Sequence, residues 1–425
     1  MENKDYKTRL VDSKISQILE NVPAICIEGP KWCGKTWTAS NNSKSAIYIG
    51  DPTNNFQNRR IAEANPKSVL MGDKPRLIDE WQEVPAIWDA VRFNVDKNGN
   101  NNQYVLTGSS TPKNKGVMHS GAGRIVRFAM DTMTLYETGD SNGEVSLRDI
   151  AQNKEISGKS KESISLDKLA KLLVCGGWPQ LLNHNNEFPQ LIIKSYISNI
   201  INDDMQRIDG KTRDVRKINM VLKSLSRNES TLVTNQKVLQ DINTYSDETI
   251  STNTLEDYLD VLRRLFLIDE IPAYASGLRS NIRVGKLPKR HFVDYSLPLA
   301  LLDIDENKLL DDLVTYGFIF ESLCLHDLKV YANVNDGKVY HYRDYANNEI
   351  DAIVEMEGKK IAIEIKLNSN QIDNAANNLI NINTKISSKN EKMGFDALCV
   401  ICGIQDYAYK REDGVYVVPI TVLKN

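Results

Sequence analysis

The feature that most constrains this chain is a glycine-containing loop between a strand-like run and a helix-like one. Residues 22–28, VPAICIE, form a short apolar run of strand type, and residues 35–42, KTWTASNN, can open a helix. Between them the pattern GxxxxGK[ST] is filled by Gly29, Pro30, Lys31, Trp32, Cys33, Gly34, Lys35 and Thr36. A strand, a glycine loop and a helix N-terminus in this order direct several backbone N–H groups at a phosphate. The order therefore predicts a phosphate-binding loop in an α/β fold.

Two residues of the loop carry specific roles in this prediction. Lys35 would reach the β and γ phosphates of a nucleoside triphosphate, and the Thr36 hydroxyl would ligand Mg²⁺. The segment PRLIDEWQEVP, residues 75–85, adds a short apolar strand that ends in Asp79 and Glu80. Asp79 would hold Mg²⁺ directly or through water, and Glu80 would act as the general base on the attacking water. The alternative is a strand that simply ends in acidic residues at the surface.

Hydroxyls and arginines follow a third strand-like run. QYVLTGSS offers Thr107 and Ser109 at its carboxyl end, where ligands bind in parallel sheets. Thr107 is the predicted sensor of the γ-phosphate. In SGAGRIVRF, either Arg124 or Arg127 could approach a γ-phosphate in its own subunit or in a neighbouring one. A plain surface arginine is the alternative for both.

Composition restricts where and how the chain can act. The net charge of −3 excludes a polycation that coats nucleic acid, so any nucleic-acid surface must be a local patch. No run of about 18 apolar residues occurs, and the N-terminal stretch MENKDYKTRLVDSKI is polar, so we expect neither a transmembrane helix nor a signal peptide. The six cysteines are scattered, which suits a reducing compartment. A cytoplasmic protein without a membrane partner is expected.

The order of the motifs resembles a known family. Several segments resemble prokaryotic AAA-type ATPases joined to a C-terminal domain of unknown function 4143; they are GPKWCGKT, LIDEWQ, LTGSS, GAGRI, CGGWPQ, STNTLEDYLDVLRRLFLIDEI, GFIFESLCLHDLKVY, YHYRD, IEIKL and REDGVYVVPI. The resemblance covers nearly the whole chain. It implies an AAA-type core that binds and hydrolyses ATP, and it implies no settled biological role. One departure lies between Pro30 and Cys33, where an arginine-containing loop is more usual.

The stretch after this core changes from polar to helical. Residues 139–165 are polar and are interpreted as a loop with one short apolar turn. A helical pattern then runs from Leu166 to about Asp209, and its first helix stops at Gly176 and Gly177, as a helix C-cap would. This pattern suits the small helical lid that follows the core of AAA-type ATPases.

Three helices and a strand are predicted next, in an order that resembles a winged helix. The helices are RKINMVLKSLSRN, VTNQKVLQDINTY and STNTLEDYLDVLRRLFL, and the strand is LIDEIPAY. Ser251 or Thr252 would cap the third helix. One apolar face of that helix is formed by Leu255, Leu259, Leu262 and Leu265. The N-terminal half of the helix carries three acidic residues, Glu256, Asp257 and Asp260. Because these negative charges would repel phosphates, the helix is interpreted as a packing element.

A basic segment follows the third helix. GLRSNIRVGKLPKRH, residues 277–291, contains no acidic residue and five basic ones, Arg279, Arg283, Lys286, Lys289 and Arg290. A wing or loop of this kind could contact a nucleic-acid backbone without reading its sequence. A solvated loop is the equal alternative.

The last third of the chain carries a different set of charges. GFIFESLCLHDLKVYA is predicted to form an amphipathic helix with Glu321, and NEIDAIVEME is strand-like with Asp351. In the strand KKIAIEIKLNS, alternation puts Glu364 and Lys366 on one face. The order of a helix Glu, a strand Asp and Glu-x-Lys resembles the core of PD-(D/E)xK nucleases.

This pattern allows two readings. Asp351 and Glu364 could bind Mg²⁺ and Lys366 could activate a water, with Glu321 as a further metal or water contact. Alternatively, Lys366 neutralises Asp351 and Glu364 in a salt-bridged trio, as in a nuclease-like domain without activity.

These patterns together predict an α/β protein with four parts. They are an AAA-type P-loop ATPase core at 1–140, a polar loop and helical lid at 141–210, a winged-helix-like domain at 211–295, and a restriction-endonuclease-like α/β domain at 296–425. The predicted function is Mg²⁺-dependent ATP binding and hydrolysis coupled to DNA binding or processing. The alternative is an ATP-controlled signalling or defence switch whose C-terminal domain binds a partner without catalysis. DNA and a second copy of the chain are the partners that this prediction allows.

Overall fold

The computed structural model describes residues 6–110, 118–182, 188–245, 249–275, 286–388 and 393–425. The chain divides into two compact units that alternate along the sequence. The first unit comprises Met1–Thr132, Asn199–Arg213 and Asp260–Leu267, and the second comprises Met133–Ser198, Asp214–Leu259 and Ile268–Asn425. The division of the chain into four parts stays a prediction.

The first unit is built on a parallel sheet of five strands in the order β2-β3-β4-β1-β5. The strands are β1 (Ala24–Glu28), β2 (Ser45–Tyr48), β3 (Arg76–Asp79), β4 (Tyr104–Gly108) and β5 (Ile125–Ala129). The helices are α1 (Val11–Asn21), α2 (Lys35–Asn41), α3 (Thr53–Ala64) and α4 (Ala86–Asn98). The central strands β1 and β4 are buried along their whole length, as expected of a parallel sheet covered on both faces.

The core of this unit lies between the sheet and α4. Ile78 and Leu106 contribute from the sheet, and α4 contributes residues at helical spacing, among them Trp88 and Val91. Trp81 comes directly after Glu80, which follows β3. The centroids of the Trp81 and Trp88 rings lie 4.7 Å apart. This packing fixes the end of β3, where the predicted acidic residues lie.

Two helical segments from later in the chain also belong to the first unit. The segment Asn199–Arg213 contains a π-helix at Ile200–Asp204 and a helical turn at Met205–Arg207. The segment Asp260–Leu267 contains the end of the third predicted helix, which runs over Thr252–Arg264.

The second unit contains a mixed sheet of seven strands in the order β10-β11-β12-β13-β15-β14-β7. The strands of this unit are β6 (Val145–Ser146), β7 (Gly158–Lys159), β8 (Ile268–Ile271), β9 (Lys289–Phe292), β10 (Lys338–Arg343), β11 (Glu349–Met356), β12 (Lys359–Asn368), β13 (Ala397–Ile404), β14 (Tyr407–Lys410), β15 (Tyr416–Pro419) and β16 (Leu423–Lys424). Strands β10, β11 and β12 are antiparallel neighbours, whereas β12, β13 and β15 are parallel.

The helices that begin in the second unit are α5 (Leu135–Thr138), α6 (Leu147–Ala151), α7 (Leu166–Cys175), α8 (Pro189–Asn199), α9 (Val215–Arg227), α10 (Asn235–Tyr245), α11 (Thr252–Arg264), α12 (Ser296–Leu301), α13 (Glu306–Asp311), α14 (Leu313–Val334) and α15 (Ile372–Ser387). Residues of α15 and of the sheet form a common core that includes Leu379, Ile353 and Val400. None of the helices in the described ranges combines the length and apolar character needed to cross a membrane.

The polar stretch 139–165 is more ordered than the sequence predicts. It contains α6, and its strand β7 pairs with β14 while β6 pairs with β16. The prediction of a loop with one apolar turn is therefore wrong in part. Strands of two residues are too short to show alternation, and they are stabilised by partners more than 200 residues away in the sequence.

The middle of the chain follows the predicted order of elements. Helices α9, α10 and α11 precede β8, which pairs antiparallel with β9. Ser251 caps α11, because its Oγ accepts a hydrogen bond from the Thr254 amide across 3.2 Å. All four leucines of the predicted apolar face are buried. Arg279 and Arg283 of the basic segment lie outside the described residues.

Candidate functional site

The glycine loop connects β1 to α2 at the carboxyl edge of the parallel sheet. Gly34 precedes α2 with a φ of 101°, a left-handed conformation that glycine adopts without strain. A Cβ at Gly29 would overlap the carbonyl oxygen of Met130, so a side chain does not fit there. Both glycines of the pattern are thus required by the backbone of the loop.

Lys35 folds back onto the loop from the first turn of α2. Its side chain is buried, with 5% of the residue exposed, and its Nζ donates to the Pro30 carbonyl across 2.7 Å. An ammonium group held inside the loop is placed to exchange this carbonyl for a phosphate oxygen.

Asp79 lies at the end of β3 and accepts hydrogen bonds from two hydroxyl groups. Thr36 Oγ1 donates to its Oδ1 across 2.8 Å, and Thr107 Oγ1 donates to the same atom across 2.7 Å. Burial raises the pKa of Asp79, and the hydrogen bonds from the two threonines act in the opposite direction. The strand order β3-β4-β1 brings these three residues to one edge of the sheet.

Glu80 is held in an unusual conformation next to a cavity. Its φ of 56° and ψ of 49° are left-handed, which is uncommon for a residue with a side chain and is frequent at functional sites. Its amide donates to Thr107 Oγ1 across 3.0 Å, and Ser109 Oγ donates to its carboxylate across 3.0 Å. Gln82 also donates to this carboxylate.

The cavity has a volume of about 760 Å³ and lies within the first unit. Its lining includes Glu80, Ser109, Lys31, Asp204 and Arg207. Lys31 Nζ and Asp204 Oδ1 form an ion pair of 2.7 Å, which ties the glycine loop to the end of the π-helix. Asp204 could not be predicted from a local pattern, because the pair joins residues 173 positions apart.

Arg124 lies at the other end of the sheet. It directly precedes β5, whose first residue pairs with Ala24 at the start of β1. The glycine loop follows the other end of β1, which lies about 13 Å from Ala24 at 3.3 Å per strand residue. The Nε of Arg124 donates to Asp96 across 2.7 Å. This position argues against the predicted role of Arg124 within its own subunit and leaves the role in a neighbouring subunit open.

Arg127 lies halfway along β5, opposite Cys26 of β1. It forms an ion pair with Glu28, and its guanidinium carbon is 4.6 Å from the centroid of the Trp88 ring. Its neighbours indicate a structural role.

A buried arginine beside the glycine loop is not among the residues predicted from the sequence. Arg9 lies just before α1 and is buried, with 5% of the residue exposed. Its guanidinium donates to the carbonyl of Cys33 in the glycine loop, across 2.9 Å. Nothing in the polar N-terminal stretch distinguishes Arg9 from its exposed neighbour Lys7.

In the second unit, the predicted Asp, Glu and Lys come together on β11 and β12. Lys366 Nζ lies 2.6 Å from Glu364 and 3.3 Å from Asp351. Asp351 also accepts from the Ile365 amide across 2.8 Å, and Glu364 accepts from Asn378 across 3.0 Å. Burial raises the pKa of Glu364 to about 7.

Glu321 projects from α14 and pairs with Lys289 of β9. Burial raises the pKa of Glu321 to about 7. Within the described residues, no group of three or more His, Cys, Asp or Glu is placed to hold a metal ion. Glu321 pairs with a lysine, and its predicted role as a further metal or water contact beside Asp351 and Glu364 stays a prediction.

The predicted basic patch is also reduced by ion pairs. Lys289 is buried against Glu321, and Arg290 contacts Glu270 across 3.1 Å. Lys286 donates to the carbonyl of Arg343. Lys289 and Arg290 are therefore not available to a phosphate backbone, and the prediction is wrong for these two residues.

Matches to protein families agree with the motif order. Residues 21–139 match an AAA domain (AAA_14), residues 166–308 match a domain of unknown function (DUF8612), and residues 316–423 match a domain of unknown function (DUF4143).

Similar proteins and structures were also found. "Uncharacterized protein Rv2008c" of Mycobacterium tuberculosis is 22% identical over 361 residues, which are 84% of this chain and 73% of that protein. "Uncharacterized protein Mb2031c" of Mycobacterium bovis matches with the same values. Among solved structures, the Walker-type ATPase PABY2304 of Pyrococcus abyssi is 12% identical with a TM-score of 0.43, over 71% of this chain and 97% of that one.

The parallel sheet and the glycine loop, together with the match of residues 21–139 to an AAA domain, are those of a P-loop domain similar to AAA-type ATPases. The chain joins this AAA domain to a C-terminal DUF4143 domain, as the motif order predicted. The resemblance of the second unit to nucleases remains a hypothesis.

Proposed function

We propose that the chain binds ATP with Mg²⁺ at the glycine loop and hydrolyses the bond to the γ-phosphate. The observation that carries this proposal is the meeting of Thr36 and Thr107 on one oxygen of Asp79, at 2.8 and 2.7 Å, beside the loop. Hydroxyl and carboxylate oxygens are the ligands that Mg²⁺ prefers, so Thr36 and Asp79 fit this ion. Bound Mg²⁺ would neutralise charge on the phosphate oxygens.

The residues of the loop supply the phosphate contacts. Lys35 leaves the Pro30 carbonyl and donates to the β and γ phosphates, and the first amides of α2 donate to the same groups. The glycines Gly29 and Gly34 permit the close approach of the loop backbone that these contacts need.

Glu80 is the proposed general base. Its carboxylate takes a proton from a water whose oxygen attacks the γ-phosphorus, while the bond between that phosphorus and the bridging oxygen breaks and ADP leaves. Ser109 and Gln82 hold the carboxylate at the cavity. Arg124 is proposed to act on the site of a neighbouring copy, since it lies far from its own loop.

The experiment that tests this proposal is ATP binding by calorimetry with Lys35→Ala. Removing the ammonium group should abolish measurable ATP binding, whereas Lys44→Ala, an exposed lysine of the same unit, should bind as the wild type does. Normal ATP affinity in Lys35→Ala would contradict the proposal.

A second candidate function concerns the second unit. We propose that Asp351, Glu364 and Lys366 support divalent-metal-dependent cleavage of a DNA phosphodiester, controlled by ATP turnover in the first unit. The contacts of Lys366 with both carboxylates, on adjacent strands, favour this candidate. The same contacts also suit a structural trio in an ATP-controlled switch, and DNA cleavage assays separate the two.

A further inference from the structure

The side chain of Arg9 reaches across the first unit and joins two separate segments. Its Nη1 donates to the Cys33 carbonyl across 2.9 Å. Its Nη2 donates to the carbonyls of Asp131 and Thr132, across 3.0 and 3.1 Å, just after β5. One buried guanidinium therefore links the middle of the glycine loop to the end of a sheet strand.

Arg9 is itself held in place by its own segment. Its backbone amide donates to Asp12 Oδ2 across 2.8 Å. The Tyr6 hydroxyl lies 2.9 Å from Asp12 and 3.1 Å from Thr38 of α2. The segment that carries Arg9 is thus anchored to the helix that the glycine loop opens.

The loop needs such support because its backbone is strained. Trp32, directly before Cys33, has a φ of 74°, which is an outlier for a bulky side chain. Conformations of this kind persist only where the surroundings enforce them. A planar guanidinium offers several donors at fixed angles, so it can hold three carbonyls at once, which an ammonium group cannot do in the same geometry.

The charge of Arg9 also matters for the ligand. The guanidinium lies within hydrogen-bond distance of Cys33, two residues before Lys35. A buried positive charge acts through a medium that screens it less than water does. The charge of Arg9 therefore stabilises a polyphosphate bound to the loop, in addition to the stabilisation that Lys35 provides.

We propose that Arg9 is a positioning residue of the nucleotide site, which holds the glycine loop in its phosphate-binding shape and adds positive charge behind it. This inference rests on the proposed ATP site. Arg9 is proposed to act through its contact with the loop carbonyl.

Arg9→Gln and Arg9→Lys test the inference, and Lys7→Gln is the matched control because Lys7 is exposed two residues away. The first readout is ATP and AMP binding by calorimetry. Arg9→Gln should weaken ATP binding about tenfold, the effect of losing a charged hydrogen bond, and AMP binding much less. Arg9→Lys, which keeps the charge, should lie between Arg9→Gln and the wild type.

The second readout is independent of ATP. Cys33 and Cys26 are both fully buried, and burial raises the pKa of both thiols, so each reacts with a maleimide only after an opening of the structure. In Arg9→Gln, peptide mapping should show faster labelling of Cys33, by about tenfold if one charged hydrogen bond is lost, with Cys26 unchanged. Lys7→Gln should match the wild type at both cysteines.

Each outcome has a clear meaning. Unchanged labelling of Cys33 together with ATP binding within about twofold of wild type overturns the inference, as does equal acceleration at Cys26 and Cys33, which reports general unfolding. Faster labelling of Cys33 alone, in a protein whose wild type binds no ATP, supports the hold of Arg9 on the loop and contradicts the proposed ATPase function.

Discussion

Thr107 donates a hydrogen bond to Asp79 across 2.7 Å, and the same hydroxyl accepts the Glu80 amide across 3.0 Å. One side chain from β4 thus fixes both acidic residues at the end of β3. This arrangement gives Thr107 a role that the sequence does not reveal, the orientation of the proposed Mg²⁺ ligand and of the proposed base. Its predicted role as γ-phosphate sensor stays a prediction.

Thr107→Val removes this hydroxyl and keeps the shape of the side chain. We expect the Mg²⁺ concentration for half-maximal ATPase activity to rise by about tenfold or more, the usual cost of losing a partner of a metal ligand. Thr107→Ser should restore most of the wild-type Mg²⁺ dependence, because it returns the donor. Steady-state ATPase rates over a Mg²⁺ titration measure the effect, and an unchanged titration for Thr107→Val would exclude the orienting role.

Glu80→Gln removes the proposed base and keeps a similar side chain. We expect the rate of hydrolysis to fall about 10²- to 10⁴-fold, while ATP binding is retained, because general bases contribute on this scale. Glu83→Gln is the control, since Glu83 lines the same cavity and pairs with Arg59. Single-turnover experiments measure the rate of hydrolysis, and calorimetry measures ATP binding separately. Equal loss of activity in both variants would assign the effect to the cavity as a whole.

The part of the proposed nucleotide site that lies in contiguous motifs was predictable from the sequence. Gly34 and Lys35 belong to the loop and helix that follow the apolar strand β1, and Asp79 ends the apolar strand β3. A parallel sheet brings the carboxyl ends of such strands to one edge. Arg9 and Asp204 were not predictable, because each reaches the loop through a tertiary contact without a local pattern.

The same reasoning explains the outcome in the second unit. Alternation in β12 places Glu364 and Lys366 on one face, and the structure brings their charges to 2.6 Å. The pairing of Lys289 with Glu321 was not predicted, because a run of basic residues is typical of a solvated loop. Lys289 belongs to this run and yet is buried against Glu321. Burial depends on the packing of β9 and α14, which the basic run does not encode.

His341 predicts a specific pH dependence of stability. It is buried, its Nε2 lies 3.1 Å from the Leu287 carbonyl, and burial lowers its pKa to about 4. The unfolded chain binds a proton near pH 6.5, so between about pH 6.5 and pH 4 the unfolded state carries more protons than the folded state. The free energy of unfolding should therefore decrease as the pH falls through this window, by up to about 3 kcal/mol from this residue.

His341→Gln is the matched variant, since its amide can donate to the same carbonyl and does not titrate. The contribution of other groups is shared, so the difference between the two proteins isolates His341. Urea unfolding from pH 4 to pH 8 measures it. Parallel pH profiles for the two proteins would contradict the prediction.

Lys366 and Glu364 decide between the two roles of the second unit. For a nuclease, we expect Mg²⁺- or Mn²⁺-dependent cleavage of DNA that is lost in both Glu364→Ala and Lys366→Ala, because one change removes a metal ligand and the other removes the cation that activates water. Lys359→Ala is the control on the same strand, since Lys359 is half exposed and pairs with Asp396 across 3.0 Å. Each protein is assayed with and without ATP. If none of the proteins cleaves DNA and Lys366→Ala loses about 3–5 kcal/mol of unfolding free energy, the cost of leaving a buried charge without its partner, the trio is structural and the second unit acts by binding.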